Sequence, residues 1–201
     1  MMSSSAGGRS SFGWWPAPQL PGRERLRAAA PTPRLWPSRL AAFSLVLPLL
    51  MAGTAAAASL EDISTLERLV NAAGVVTLVA DDCPPRHAGF YEKDAAGLHR
   101  LVLCRNGVDL GDVEAVWEVM AHEATHIMQA CRGGSVIADD SMPRTIRELR
   151  TMAPHYAKLI DRSYAPADQR LEAEAFWMEL QTPRQVISLF RQLCGSAGVR
   201  R

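Results

Sequence analysis

Between Asp112 and Gly133 the chain spells out one long helix, and the residues inside it limit what the rest of the molecule can be. Val113, Val116, Trp117, Met120, Ala121, Ala124, Ile127 and Met128 recur at spacings of three and four, the period of a helix facing a core. Asp112 stands where an N-cap is wanted, and Glu114 falls in the first turn, where negative charge suits the helix dipole. Gly133-Gly134 supplies the stop. The spacing predicts a helix over about 112–131, and within it lies His122-Glu123-Ala124-Thr125-His126. Positions four apart on a helix share one face, roughly 6 Å from each other. Two imidazoles so placed can grip one metal ion, with Glu123 beside the ion rather than on it, where it can act as a base toward water.

A catalytic zinc site needs a third protein ligand and keeps one position open. The candidates stand mainly in the stretch after Pro166, which reads Arg170-Leu171-Glu172-Ala173-Glu174-Ala175-Phe176. Glu172 and Glu174 are two apart on a helix and point in different directions, so one of them at most faces the metal. Glu172 is the first choice, with Glu174 and His155 as alternatives. Small Ala173 and Ala175 allow this helix to approach the His122–His126 helix closely. A donor to stabilise the transition state is also expected; Tyr156, Tyr164, His155 and Arg147 are candidates that the sequence does not separate.

These residues resemble the gluzincin branch of the zincin metallopeptidases. There an HExxH helix is followed by a helix bearing E-x-E-A-D, whose first Glu is the ligand. Glu172-Ala173-Glu174-Ala175 matches four of those positions, and Phe176 stands in place of the Asp. The resemblance implies His122, His126 and Glu172 as ligands of one Zn2+ ion, Glu123 as the catalytic base, and a peptide or protein as substrate. A narrower likeness is to the family of the mitochondrial intermembrane-space metallopeptidase that processes an ATP synthase subunit. It is carried by Tyr91, by Val102-Leu103-Cys104-Arg105-Asn106, by the motif itself and by Cys131-Arg132, and covers roughly residues 89–132.

Composition divides the chain. Residues 1–58 hold six Arg against one Glu and end in the uncharged run Leu40 to Ala58, whose tail is Gly53-Thr54-Ala55-Ala56-Ala57-Ala58. A basic region, an apolar region and a small-residue cleavage site describe a leader and signal peptide over 1–58. Residues 59–201 are then a single metallopeptidase-like domain, exported to a periplasm, lumen or extracellular space. Membrane attachment would come only through residues 40–58, were they retained. Without the leader the chain has 16 basic and 20 acidic residues. A mildly acidic domain lacking basic clusters offers no footprint for nucleic acid. All four cysteines, Cys83, Cys104, Cys131 and Cys194, fall after the leader, as an exported disulfide-bonded domain requires. The preferred pairs are Cys83–Cys104, near the strands, and Cys131–Cys194, tying the motif helix to a C-terminal helix.

The remaining pattern predicts an α+β fold, with a small antiparallel sheet packed on the motif helix and a mostly helical C-terminal half. Helices are expected over Leu60–Asn71, Ser141–Met152, Pro166–Leu180 and from Thr182-Pro183 to near Cys194, with Pro154 breaking or kinking the chain. Strands are expected over Val75–Ala80, Gly89–Glu92 and His99–Cys104.

Overall fold

The computed structural model describes residues 57–195 together with 198 and 199. Except for its last two residues, the leader expected over 1–58 lies outside them, as does the question of its cleavage. The first helix, α1, spans Leu60–Ala72. Ser59 caps it reciprocally: its hydroxyl accepts from Asp62 N–H at 3.2 Å, and its own N–H donates to the Asp62 carboxylate at 3.0 Å. Leu66 and Val70 are its buried residues. Gly74, at φ 88°, takes the left-handed turn that L-residues avoid and leads into β1.

Three strands follow, β1 (Val75–Ala80), β2 (Gly89–Lys93) and β3 (His99–Cys104), in the spatial order β1-β3-β2. β2 and β3 form the expected antiparallel hairpin, closed by Asp94 N–H bonding to Leu98 O and turned at Gly97. β1, however, pairs with β3 in parallel, from Val75 opposite His99 to Ala80 opposite Cys104, so the sheet is mixed rather than antiparallel. The cause lies in the connection. The segment after Ala80 crosses the end of β3, held there by the Cys83–Cys104 disulfide, by Arg105 N–H to Ala80 O and by Asn106 to Cys83 O. It therefore delivers β2 to the far side of β3, and the returning hairpin strand fills the gap beside β1 in the same direction as β1.

The motif helix, α2, spans Val113–Arg132. The Asp112 carboxylate caps it by accepting from Glu114 and Ala115 N–H, and Gly133 ends it at φ 79°. Its long buried face packs against α1, the sheet and two later helices. β2 comes especially close: a Cβ at Gly89 would stand 2.5 Å from Val119 Cγ1, 2.8 Å from Val102 O and 3.6 Å from Glu123 Cγ.

The C-terminal half is helical, as expected, in four pieces: α3 (Met142–Met152), α4 (Pro154–Ser163), α5 (Gln169–Glu179) and α6 (Pro183–Cys194). Pro154 does more than break the chain. It occupies the first turn of α4, where its missing N–H is no loss, and Ala153 serves as the end of one helix and the start of the next. Helix α5 begins later than Pro166, after a turn in which Ala165 O accepts from Asp168 and Gln169 N–H. Both disulfides join the expected partners, Cys83 to Cys104 and Cys131 to Cys194, the second tying the last turn of α2 to the last turn of α6.

Candidate metal centre

Helix periodicity puts His122 and His126 on one face of α2, and α5 packs along α2. The three side chains His122, His126 and Glu172 converge there, with one ligand atom from each lying within 4.8 Å of the others. All three are buried, at 0%, 2% and 2% exposure. The individual separations are 3.3 Å between the two Nε2 atoms, 3.5 Å from His122 Nε2 to Glu172 Oε2, and 3.7 Å from His126 Nε2 to Glu172 Oε1. Tetrahedral zinc, with nitrogen and oxygen ligands at about 2.0–2.1 Å, sets its ligand atoms about 3.3–3.4 Å apart. The donor set fits such an ion in both chemistry and spacing. The Glu172 carboxylate is hydrogen-bonded by His122 and Tyr164, and the wholly buried Glu123 carboxylate by the Tyr91 backbone. Carboxylates buried this deeply are costly to ionise unless positive charge meets them.

Neighbouring side chains aim each imidazole. His122 Nδ1–H donates to Glu179 Oε1 at 2.6 Å, and His126 Nδ1–H donates to Gln129 Oε1 at 2.8 Å. With both Nδ1 atoms engaged, both Nε2 atoms face Glu172. Phe176, in the position where the resemblance leads one to expect an acidic partner, instead meets the His122 ring edge-on, centroids 4.7 Å apart. The carboxylate lies three residues further along, at Glu179. Neither Glu179 nor Gln129 is singled out by the sequence reading. The signal for the first is the stripe Glu172, Phe176, Glu179 on one helix face; for the second it is a polar residue one turn beyond His126.

Protons are shared unevenly among these side chains. Burial alone would depress His122, but its hydrogen bonds to Glu172 and Glu179, with the charges of Glu179 and Glu123, outweigh burial and hold it up at about 10. His126 is shifted down, chiefly by burial, with His122 adding to the effect. Burial works against ionised Glu172, yet the two histidines pull its carboxyl below the ordinary range. Burial pushes Glu123 up to about 8 and Glu179 to about 7, in both cases against the pull of His122.

The other candidates fall in different places. Glu174, the alternative ligand, is fully buried but turned to the segment after α2, where it accepts from Val136 N–H at 2.8 Å and from the Ser135 hydroxyl. His155 is exposed on α4, its ring tilted against Tyr156, and Arg147 is exposed on α3; neither joins the cluster. Tyr156 is buried with its ring tilted onto Phe176, and its ionisation is suppressed by burial and by Glu179. The Tyr164 hydroxyl is buried and hydrogen-bonds Glu172, and its ionisation is suppressed by burial first and then by the charges of Glu172 and Glu123. Of the candidate donors, Tyr164 is the one whose hydroxyl meets a side chain of the cluster, Glu172. A groove of about 290 Å³ lies between α3, α4 and α5, lined by residues such as Leu149, Ile160 and Ala173, and none of the three clustered side chains lines it.

Fold and site together define an α+β domain, cross-linked by two disulfides, with a buried two-histidine, one-glutamate cluster capable of holding a metal ion. The chain belongs to the family described as a domain of unknown function, DUF8637, whose pattern matches residues 83–195. That span takes in the hairpin, the motif helix and all of α5. No curated protein and no solved structure matches the chain.

Proposed function

We propose that this domain is an exported zinc-dependent metallopeptidase of the HExxH type, acting on a peptide or protein. The observation that carries the reading is the convergence of His122, His126 and Glu172 at ligand spacing, with the buried carboxylate of Glu123 next to them. When bound by these three side chains, zinc supplies Lewis acidity toward water and toward a peptide carbonyl. Glu123 takes the proton of the attacking water and returns it to the departing amine, so that amide plus water gives carboxylic acid plus amine. Glu179 and Gln129 hold the imidazoles, and Tyr164 provides a hydroxyl donor for charge developing on the substrate oxygen. Two disulfides suit an oxidising compartment, in keeping with the expected leader. Among the described residues no helix is long and apolar enough to cross a membrane.

The burial of all three ligands and of Glu123 favours a second reading, a non-catalytic zinc-binding or adaptor domain whose ion is purely structural. One comparison separates the two. Wild type and Glu123→Gln are assayed for zinc content and for cleavage of a broad peptide library. The peptidase reading expects one zinc in each and cleavage by wild type alone. Equal behaviour of two zinc-loaded proteins would end it in favour of the second.

A further inference from the structure

We infer that Gln129 and Glu174 are positioning residues, which together dictate which nitrogen of His126 is presented to the metal. The inference rests on the zinc reading of the cluster but not on catalysis. Gln129 lies one turn beyond His126 on α2 and is buried. Its amide has one end that only donates and one that only accepts, and the surroundings decide which points where. On one side are two acceptors, Leu171 O at 3.0 Å and Glu174 Oε2 at 3.1 Å. The nitrogen must face them, and both of its N–H bonds are then spent. The oxygen therefore faces His126 Nδ1, at 2.8 Å, and an oxygen that can only accept requires that Nδ1 carry the hydrogen. A neutral imidazole protonated at Nδ1 has its lone pair on Nε2. That atom lies 3.3 Å from His122 Nε2 and 3.7 Å from Glu172 Oε1, facing the ligand cluster.

The ordering begins at Glu174. Its carboxylate collects the Ser135 hydroxyl, Val136 N–H at 2.8 Å, Ile137 N–H at 3.4 Å and the Gln129 amide, with the Arg170 guanidinium 3.8 Å away. A group so surrounded by donors stays an acceptor and cannot turn toward the metal without orphaning several buried N–H and O–H groups. Arg170 extends the same network to Ser135 Oγ at 3.0 Å, Ile137 O at 3.2 Å and Asp139 at 2.5 Å. The two glutamates of the Glu172-Ala173-Glu174 run thus divide the work. One supplies an oxygen to the cluster; the other, on a different side of α5, pins the segment after α2 and orients the second histidine through Gln129.

The test uses the full domain, with Gln129→Leu removing the acceptor and Glu174→Gln removing the pure acceptor that fixes the amide. Nitrogen-15 NMR of metal-free protein reads the His126 tautomer directly, chelator competition reads zinc affinity, and cobalt substitution reports the ligand field. In wild type Nδ1 should be protonated. In Gln129→Leu the tautomers should mix, zinc affinity should fall by about 10- to 100-fold and the cobalt visible bands should move. Glu174→Gln should act in the same direction. A merely structural role would lower the melting temperature while leaving the tautomer and the cobalt spectrum of the folded protein unchanged. That result, or an unprotonated Nδ1 in wild type, would overturn the inference. A wild-type domain that binds no zinc yet keeps Nδ1 protonated would instead sink the zinc reading and leave the tautomer assignment standing.

Discussion

Removing Glu179 gives the sharpest test of how the cluster is held. Its Oε1 accepts from His122 Nδ1–H at 2.6 Å, and both side chains are wholly buried. Loss of a partner behind a ligating histidine lowers metal affinity by about 10- to 100-fold, or about 1.4–2.8 kcal/mol. Glu179→Ala should show this full deficit. Glu179→Gln keeps an acceptor oxygen and loses only the charge; a charge-assisted bond exceeds a neutral one by about 1 kcal/mol, so its deficit should be about fivefold. Protons complicate the comparison in a predictable direction. In the metal-free wild type, His122 is held up at about 10 with the help of Glu179, so at neutral pH zinc must displace a proton that the variants hold less firmly. The wild-type advantage should therefore widen between pH 7 and pH 9. The assay is competition with a chromophoric chelator at both pH values, with stability read separately by denaturant, because breaking a buried pair costs about 3–5 kcal/mol. Affinity of Glu179→Ala within twofold of wild type at both pH values would refute the reasoning, as would Glu179→Gln binding more weakly than Glu179→Ala.

On the zinc reading, the ion and protons would compete for the same site. His122 is raised from 6.5 to about 10, so its contribution to the metal-free fold is complete below 6.5 and lost as pH rises through about 10, while zinc affinity rises over that window. Calorimetry at pH 7 in two buffers of different ionisation enthalpy should show net proton release on zinc binding, and zero release contradicts the assignment. Replacing Gly89 with Ala drives a methyl to 2.5 Å from Val119 Cγ1 and 2.8 Å from Val102 O, so β2 must lift from α2. Thermal denaturation should show a loss of about 1–3 kcal/mol, and an unchanged melting temperature would mean the strand yields freely. The disulfides close separations of 21 and 63 residues. On the chain-entropy model, removing Cys83–Cys104 should cost about 3 kcal/mol and removing Cys131–Cys194 about 4 kcal/mol. Paired serine variants in denaturant titrations check both size and order.

What the sequence makes legible here is what a single helix or strand decides for itself. Val75–Ala80 and His99–Cys104 read correctly as strands, and α2 announces both its ends through Asp112 and Gly133. The pairing of His122 with His126 is equally local, because helix geometry alone places them on one face. The parallel pairing of β1 with β3 is not local; it depends on the path of the chain between Ala80 and Gly89, which no periodicity encodes. Pro154 was ambiguous for a similar reason, since a proline suits the first turn of a new helix as well as the end of an old one. Glu172 and Glu174 could be separated in direction but not in task. Deciding the task of Glu174 requires Ser135, Val136 and Gln129 in space, and finding Glu179 requires knowing how α5 lies along α2.

The Cys131–Cys194 bridge makes a covalent ring of everything between α2 and α6. Glu172, Glu174 and Glu179 all lie inside that ring, while His122 and His126 sit on the helix that closes it. The exposed turn Ala165–Asp168, immediately before α5, lies inside it too. A backbone cut in that turn would open the ring without dividing the protein. The fragment bearing Glu172 would remain tethered through Cys194 to the fragment bearing the histidines. A cut at this exposed turn would thus leave the two histidines and Glu172 in one covalently joined molecule.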